Sequence, residues 1–396
     1  MEDIAEENIN QLVDQGMIRV KIGLRNELEV VEPYYKICLL KLQQGEPIKW
    51  YRGDSDYNLP ECARIVLVHY RGETITTSFN DNPIVSLFVI KARGAIVPLK
   101  SLPEEIGDLI NLRYLGLKHS ALDEIPESIC NLLNLQTLDI RWPMRLRVLP
   151  SGILKLVQLR HLMLSMNEIK VPSGIDILTN LQSLTNLFIR PGIIQELRSL
   201  TQLKKLKFMD VSEEHDSELS ACIMKMTGLV SLSLDTTGYE DDELLPTLES
   251  FSPPPSFRKL RLYGRLMDLP NWVCSMENLT KLTLGYSFLS EEAIYVLQFL
   301  PNLKHLALWE ACKVKVINKE FCQVGGFPKL EALLIANQNL LEWTEIEDGA
   351  LPSLAFLKFH CCSQLRILPK GLQCVTTLKV LNMFPLHPDL KREANT

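Results

Sequence analysis

Residues 111–117 read Asn-Leu-Arg-Tyr-Leu-Gly-Leu, with leucines at Leu112, Leu115 and Leu117. In an extended strand, successive side chains point to opposite faces, so Leu115 and Leu117 share one face and Gly116 lies on the other. A segment this short cannot bury its apolar face by itself. The stretch therefore predicts a short strand whose leucines are covered by similar segments elsewhere in the chain.

Similar segments do recur. The pattern Leu-x-x-Leu-x-Leu, in which other apolar residues can replace leucine, appears twelve times. Most copies are about 22 to 28 residues apart. Two looser copies precede them, around Ile65/Leu67 and Leu87/Val89. The eleven copies after the first are centred on Leu138, Leu162, Leu187, Leu206, Leu232, Leu260, Leu282, Leu306, Leu333, Leu357 and Leu381.

This spacing is typical of leucine-rich repeats and predicts an α/β fold, a horseshoe-shaped solenoid with a parallel sheet on its concave side. Many copies also carry an aliphatic-proline pair, such as Leu102-Pro103, upstream of the strand. Proline lacks a backbone donor and suits the irregular convex side. We expect Ile106 and Leu109, which follow this pair, to fill the core.

The N-terminal residues 1–48 do not follow the repeat. An amphipathic pattern predicts a helix at 2–15, short strands at 17–20 and 27–31, and a second helix at 33–42. This order predicts a small winged-helix-like remnant.

Beyond it we predict a polar linker at 49–60, the solenoid at 61–390 and a tail at 391–396. The net charge is −6, and no apolar run reaches the roughly 18–20 residues that a membrane span needs. The chain begins Met1-Glu2-Asp3 without a basic and apolar leader, so we expect a cytoplasmic protein whose ten cysteines are free and mostly buried.

Several stretches resemble plant coiled-coil-type nucleotide-binding leucine-rich-repeat (NLR) disease resistance proteins. Residues 3–18 resemble the end of the family's winged-helix part, and residues 62–70 resemble the opening of its repeat domain. Residues 102–115 match its first regular repeats, and residues 349–372 resemble its terminal repeats. The resemblance implies a protein-recognition module of plant defence.

The resemblance does not extend to nucleotide chemistry. The family's phosphate loop ends in Gly-Lys-Ser/Thr, and no Gly-Lys pair occurs in this sequence. Its Met-His-Asp motif would fall near Val31-Glu32-Pro33, where the His and Asp positions hold Glu32 and Pro33. We therefore expect no cofactor, and a truncated receptor without the ATP-dependent switch.

The outward positions of the strands give the candidate binding site. They are rich in basic and aromatic residues, whereas only two acids, Asp139 and Asp235, occur among them. Arg, Tyr and Trp are favoured at interface hot spots. The acids cluster between strands instead, at 213–218 and 240–243, where we expect loops. The predicted partner-binding residues are Lys118, Arg141, Arg190, Lys205, Lys207, Lys259, Arg261, Tyr263, Lys281, Trp309, Phe356 and Lys358.

Two interpretations of this basic face remain open. Lysines and arginines can simply solvate a concave sheet, or they can bind an acidic protein surface. By the resemblance, that surface would belong to a pathogen effector or to the nucleotide-binding module of a full-length NLR. No nucleic-acid-reading motif accompanies the charge, so we expect no nucleic acid partner.

Nothing in the sequence favours an enzyme. His161, His305 and His360 take outward positions on strands too far apart to share a site, and no nucleophile or metal motif is present. The alternatives to a defence module are a generic intracellular scaffold of the small-GTPase-associated repeat type and a degenerate product without an independent role. Uneven repeat spacing favours the receptor type over the scaffold.

Overall fold

The computed structural model describes residues 100–117, 122–141, 145–236 and 243–384. It also describes the backbone of five strands nearer the N-terminus. These are β1 (Ile18–Lys21), β2 (Glu27–Val30), β3 (Ile48–Arg52), β4 (Ile65–Tyr70) and β5 (Ser86–Lys91).

One parallel sheet organises the molecule. It contains fifteen of the described strands, in the order β3 to β14 followed by β16, β18 and β19. Each strand after β3 pairs with the one before it in that order, so the chain advances by one strand in each repeat. The remaining strands are β6 (Tyr114–Gly116), β7 (Thr137–Asp139), β8 (His161–Met163), β9 (Ser183–Phe188), β10 (Lys205–Met209), β11 (Ser231–Asp235), β12 (Lys259–Tyr263), β13 (Lys281–Gly285), β14 (His305–Trp309), β15 (Val316–Ile317), β16 (Ala332–Ala336), β17 (Glu342–Trp343), β18 (Phe356–His360) and β19 (Val380–Phe384).

The repeat prediction is confirmed strand by strand. All twelve regular copies form sheet strands, and the two looser copies form β4 and β5. The copy centred on Leu187 is placed three residues too far along the chain, because Leu184 is the residue of β9 that pairs with Leu162 and Leu206. The linker prediction at 49–60 is wrong at its start, because β3 lies there and pairs in parallel with β4. Ile48 and Trp50 alternate with Lys49 and Tyr51, which is a strand pattern that the polar residues following it obscure.

Short helices connect the strands on the other side. Pro103, Pro126 and Pro150 each stand directly before a 3₁₀ helix, as the missing proline donor allows. The 3₁₀ helices are Glu104–Asp108, Glu127–Asn131, Ser151–Lys155, Ile175–Ile177, Glu213–His215, Val296–Phe299, Lys319–Phe321 and Leu372–Cys374. The α-helices are α1 (Ile193–Leu197), α2 (Asp216–Ile223), α3 (Asn271–Cys274) and α4 (Glu291–Tyr295).

The core lies between the sheet and these helices. Leu115, Leu138 and Leu206 are fully buried in their strands, and Ile106 and Leu109 reach the same core from the convex side, as predicted. The last described strand of the sheet, β19, has a neighbouring strand on one side only. There Leu381, which occupies the same repeat position as the buried leucines, is 42% exposed. Burial of each repeat thus depends on the next one.

Side chains also join neighbouring repeats outside the core. The amide of Asn134 donates to the carbonyl oxygen of Ile110 at 2.9 Å, and the amide of Asn180 donates to that of Val157 at 2.8 Å. Both asparagines directly precede the first leucine of a repeat. They satisfy turn carbonyls that the parallel sheet cannot reach.

The structure describes only part of the predicted N-terminal winged-helix-like segment. The antiparallel pair β1–β2 occupies the positions expected for the two short strands. The helices predicted at 2–15 and 33–42 lie outside the described residues, so the winged-helix-like remnant stays a prediction. The acidic cluster at 213–218 is not a loop, since a 3₁₀ helix and α2 cover it.

The eight described cysteines are all free. Cys222, Cys322 and Cys362 are buried, Cys130 and Cys312 are half-buried, and Cys274, Cys361 and Cys374 are exposed, so the expectation that most cysteines are buried is wrong for the described ones. Cys274 is the last residue of α3, whose preceding residues Trp272 and Val273 face the core instead.

We expect Leu232→Ala to lower the free energy of unfolding by about 2–5 kcal/mol, because it removes a fully buried side chain from β11 in mid-sheet. The shift in the urea unfolding midpoint measures this. Ile110→Ala is the control, since Ile110 is 61% exposed and its loss should change stability by less than about 0.5 kcal/mol. Equal effects of the two changes would contradict the assigned core.

Candidate binding face

The strand register arranges the concave side chains in rows that run across the sheet. Because the pairing is in register from β10 to β19, residues at equivalent positions of successive repeats stand side by side. The first row is Lys205, Ser231, Lys259, Lys281, His305, Ala332, Phe356 and Val380. The second row is Lys207, Ser233, Arg261, Thr283, Ala307, Leu334, Lys358 and Asn382.

These rows line a groove of about 1420 Å³. Among the described residues, its lining includes seven lysines and arginines and no aspartate or glutamate. Nine of the twelve predicted binding residues are among the lining residues. They are Lys205, Lys207, Lys259, Arg261, Tyr263, Lys281, Trp309, Phe356 and Lys358.

Three lysines of the first row, Lys205, Lys259 and Lys281, form what we call the lysine row. Within the described residues, none of the three makes an ion pair. Lys259 and Lys281 stand on adjacent strands, and Ser231 separates Lys205 from Lys259. The row therefore concentrates positive charge without a counter-charge.

Two lysines of this row have a lowered pKa. Partial burial, together with the charges of Arg141, Lys259, Lys207 and Lys281, lowers the pKa of Lys205. The pKa of Lys281 is lowered by partial burial and then by Lys259 and Arg261. In both cases the surroundings disfavour the charged form, so a bound anion would relieve the repulsion.

The second row has its own counter-charge. Asp235, predicted as an exposed acid, is fully buried at the end of β11. Its carboxylate lies 2.9 Å from the Lys207 ammonium and 3.2 Å from the Arg261 guanidinium, and it accepts a hydrogen bond from the Ser233 hydroxyl. Asp235 thus fixes Lys207 and Arg261 in place and neutralises part of their charge.

Asp139 plays the same part nearer the N-terminus. It is also buried, and the guanidinium of Arg141 donates to its two oxygens at 2.9 and 2.8 Å. Burial and Asp139 together raise the pKa of Tyr114 to about 12, so this phenol stays protonated. The predicted binding residue Arg141 is therefore paired within the protein.

Of the three predicted residues that do not line the groove, Arg141 is paired with Asp139, and the other two lie apart from the groove or cannot be placed. Arg190 follows β9 and pairs with Glu196 at 2.9 Å. A bulge in β9 shifts the register there, and Asn186 has a positive φ of 59°. Arg190 therefore does not stand beside the outward residues of the neighbouring strands. Lys118 lies outside the described residues.

Beyond β13 the groove changes character. The outward residues on β14 and β16 are uncharged apart from His305, whose pKa is lowered by partial burial and by Lys281. Four of these residues and Phe356 of β18 line a region that we call the apolar depression. It consists of Ala307, Trp309, Ala332, Leu334 and Phe356.

Small residues shape both parts of the groove. The rings of Trp309 and His360 meet across Ala336, with centroids 5.4 Å apart. At Gly285, a Cβ would overlap the ring of Tyr263, which also lies 4.0 Å beneath the Arg261 guanidinium. The outward alanines Ala307 and Ala332 were missed in the sequence, because a small apolar residue has no binding signal until its neighbours are known.

Known proteins place this fold in a family. A family model described as a leucine-rich repeat region matches residues 97–389. The chain belongs to the leucine-rich-repeat family. A leucine-rich-repeat protein of Leptospira interrogans superposes with a TM-score of 0.54 at 21% identity, covering 85% of this chain and 90% of that one, and it supports the fold alone.

The curated relatives of this leucine-rich-repeat chain are plant proteins. Disease resistance protein RPP8 of Arabidopsis thaliana is 30% identical over 300 residues, which are 74% of this chain and 32% of the relative. Disease resistance RPP8-like protein 3 from the same plant is 29% identical over 317 residues, 78% of this chain and 34% of the relative. The chain spans about a third of the length of these relatives.

These matches confirm the resemblance to plant NLR disease resistance proteins and support a defence-related recognition module over a generic scaffold. The matching family model describes a repeat region, not a catalytic domain. In the described part of the chain, no helix is long and apolar enough to cross a membrane. The same residues contain no group of three or more His, Cys, Asp or Glu side chains suited to a metal ion.

We expect Lys259→Gln to raise the pKa of both Lys205 and Lys281, because it removes a positive charge that lowers each of them. Lysine side-chain NMR across a pH titration measures the two values. Lys155→Gln is the matched control, since Lys155 lies on the convex 3₁₀ helix Ser151–Lys155 and should leave both unchanged. Unaltered pKa values in Lys259→Gln would show that the lysine row is not electrostatically coupled.

Asp235→Asn should lower the free energy of unfolding by about 1–3 kcal/mol, because Lys207 and Arg261 lose their buried counter-charge. The same change adds one net positive charge to the groove, so an acidic ligand should bind more tightly. Urea unfolding and binding titration measure the two effects. Glu249→Gln, at an exposed acid, serves as the control. If both quantities stay unchanged, Asp235 does not organise this face.

Proposed function

We propose that this chain is a non-catalytic recognition module of plant defence that binds an acidic protein surface through its concave groove. The observation that carries the proposal is the lysine row, a set of three lysines without an acidic partner among the described residues. A sheet that only needed solvation could pair these lysines with acids, as it pairs Lys207 and Arg261 with Asp235.

The distribution of charge supports the same proposal. The protein carries a net charge of −6, yet the residues that the structure describes in the groove lining include no acid. Complementary charge steers partners and rejects wrong ones, so a basic groove in an acidic protein favours acidic ligands. Folding by itself does not require this separation, because side chains on the concave face do not build the core.

The partner class comes from the relatives. For a chain related to plant disease resistance proteins, we propose a pathogen effector or the nucleotide-binding module of a full-length NLR as the partner. Either partner would meet the chain in the cytoplasm. Neither a cofactor nor nucleic acid enters this function.

The test compares two triple variants that change net charge equally. Lys205, Lys259 and Lys281 are replaced by Glu in the first, and Lys155, Lys225 and Lys319 in the second. The second set lies on the convex side, at Ser151–Lys155, just after α2, and at Lys319–Phe321. Both are co-expressed in leaves with full-length RPP8-type receptors and with candidate effectors.

We expect co-purification and any change in receptor-triggered cell death to be lost with the first variant and kept with the second. Circular dichroism and urea unfolding of the purified variants check that both fold. Charge reversal opposes the acidic ligand directly, so its binding should weaken at least ten-fold, about 1.4 kcal/mol. Binding that survives reversal of the lysine row, in a folded protein, would refute the concave site.

A further inference from the structure

The groove has two parts of different chemistry, and their order across the sheet points to a specific kind of ligand. The lysine row spans β10 to β13, and the apolar depression spans β14 to β18. We propose that the groove binds an extended peptide segment that carries acidic residues followed, three or four residues away, by one large apolar side chain. This inference rests on the proposed function and names the ligand of the same site.

The acidic part of the ligand follows from the lysine row. Lys259 and Lys281 stand on adjacent strands, about 4.8 Å apart at the backbone, so one carboxylate can contact both ammonium groups. Lys205 lies two strands from Lys259, about 10 Å away, and can receive a second carboxylate. Bound carboxylates would offset the like-charge repulsion that, after burial, contributes to the lowered pKa of Lys205 and Lys281.

The apolar anchor follows from the depression. Ala332 occupies the first row between His305 and Phe356 and leaves a partly exposed floor. Phe356 flanks this floor in the first row, Leu334 stands beside it in the second row, and Trp309 lines the same groove further along, beside Ala336. Aromatic walls over small residues suit a large apolar side chain, whose burial contributes more than any single charged contact at an exposed surface.

The spacing follows from the sheet. Along the first row, Ala332 lies two strands from Lys281, about 10 Å, and Phe356 lies three strands away, about 14 Å. An extended peptide advances about 3.3–3.6 Å per residue. The acid over Lys281 and the anchor over Ala332 or Phe356 are therefore separated by three or four residues.

Charge complementarity favours a peptide over other occupants. A polyphosphate or a nucleic acid would satisfy the lysine row but would place no apolar group in the depression. An apolar helix would fill the depression but would leave the lysine row uncompensated. An acidic segment with an anchor satisfies both parts at once.

The experiment measures fluorescence anisotropy of the purified full chain with a panel of labelled ten-residue peptides. Each peptide contains two Glu residues three positions apart and one Phe, which stands one to six positions after the second Glu. We expect the tightest binding at a separation of three or four, and at least ten-fold weaker binding when Phe is replaced by Ser. A peptide with Glu replaced by Gln should also bind at least ten-fold more weakly.

Protein variants assign the two halves. Lys259→Glu should weaken the binding of every peptide that contains Glu. Ala332→Glu should abolish the preference for Phe, because it places a charge on the floor of the depression. Val324→Glu is the matched control, since Val324 is 70% exposed and lies after the 3₁₀ helix Lys319–Phe321 on the convex side.

The outcomes separate this inference from the proposed function. Charge reversal of the lysine row could abolish binding of the partner protein while the peptides show no preference for Phe or for its distance from Glu. In that case the acidic-surface function stands, and the anchored-peptide ligand is wrong. If an inorganic polyphosphate competes and the Phe peptides do not bind better than the Ser peptides, the ligand is a polyanion without an anchor, which also overturns the inference. If lysine-row reversal affects neither the partner protein nor the peptides, both proposals fail.

Discussion

The structure depends on in-register parallel stacking. Each repeat has an apolar face too small to form a core, and only the next repeat covers it. The contrast between the buried leucines in mid-sheet and the 42% exposure of Leu381 on the last strand shows this directly. The same register that closes the core also aligns the outward residues in rows, so packing and surface chemistry have one geometric origin.

That alignment also explains why electrostatic repulsion differs from one part of the concave face to another. Parallel strands lie less than 5 Å apart, so like charges at equivalent positions must repel one another. The protein offsets this repulsion in the second row, where buried Asp235 holds Lys207 and Arg261. In the first row, no acid of the described residues pairs with Lys205, Lys259 or Lys281, and like charges add to the burial that lowers the pKa of Lys205 and Lys281. An acidic ligand that binds this row would supply the missing counter-charge, and relief of the repulsion would favour its binding.

The groove also illustrates how small residues create specificity. Ala336 lets Trp309 and His360 meet, and Gly285 leaves room for Tyr263 beneath Arg261. These positions hold no recognisable binding chemistry of their own. Their effect is to set where aromatic rings can lie, which divides the face into a basic part and an apolar part.

The sequence alone determined the repeat, the strands and the inward leucines, because the period of the apolar pattern is a local property that stacking must obey. It also placed most of the basic and aromatic residues on one face, since strand side chains alternate. Only the tertiary structure decided which of them are available. Asp139 and Asp235 turned out to be buried counter-ions, and the β9 bulge removed Arg190 from the row. The strand β3 joined the sheet where polar residues suggested a linker. These outcomes depend on neighbours more than twenty residues away, whose distance and orientation no local pattern contains.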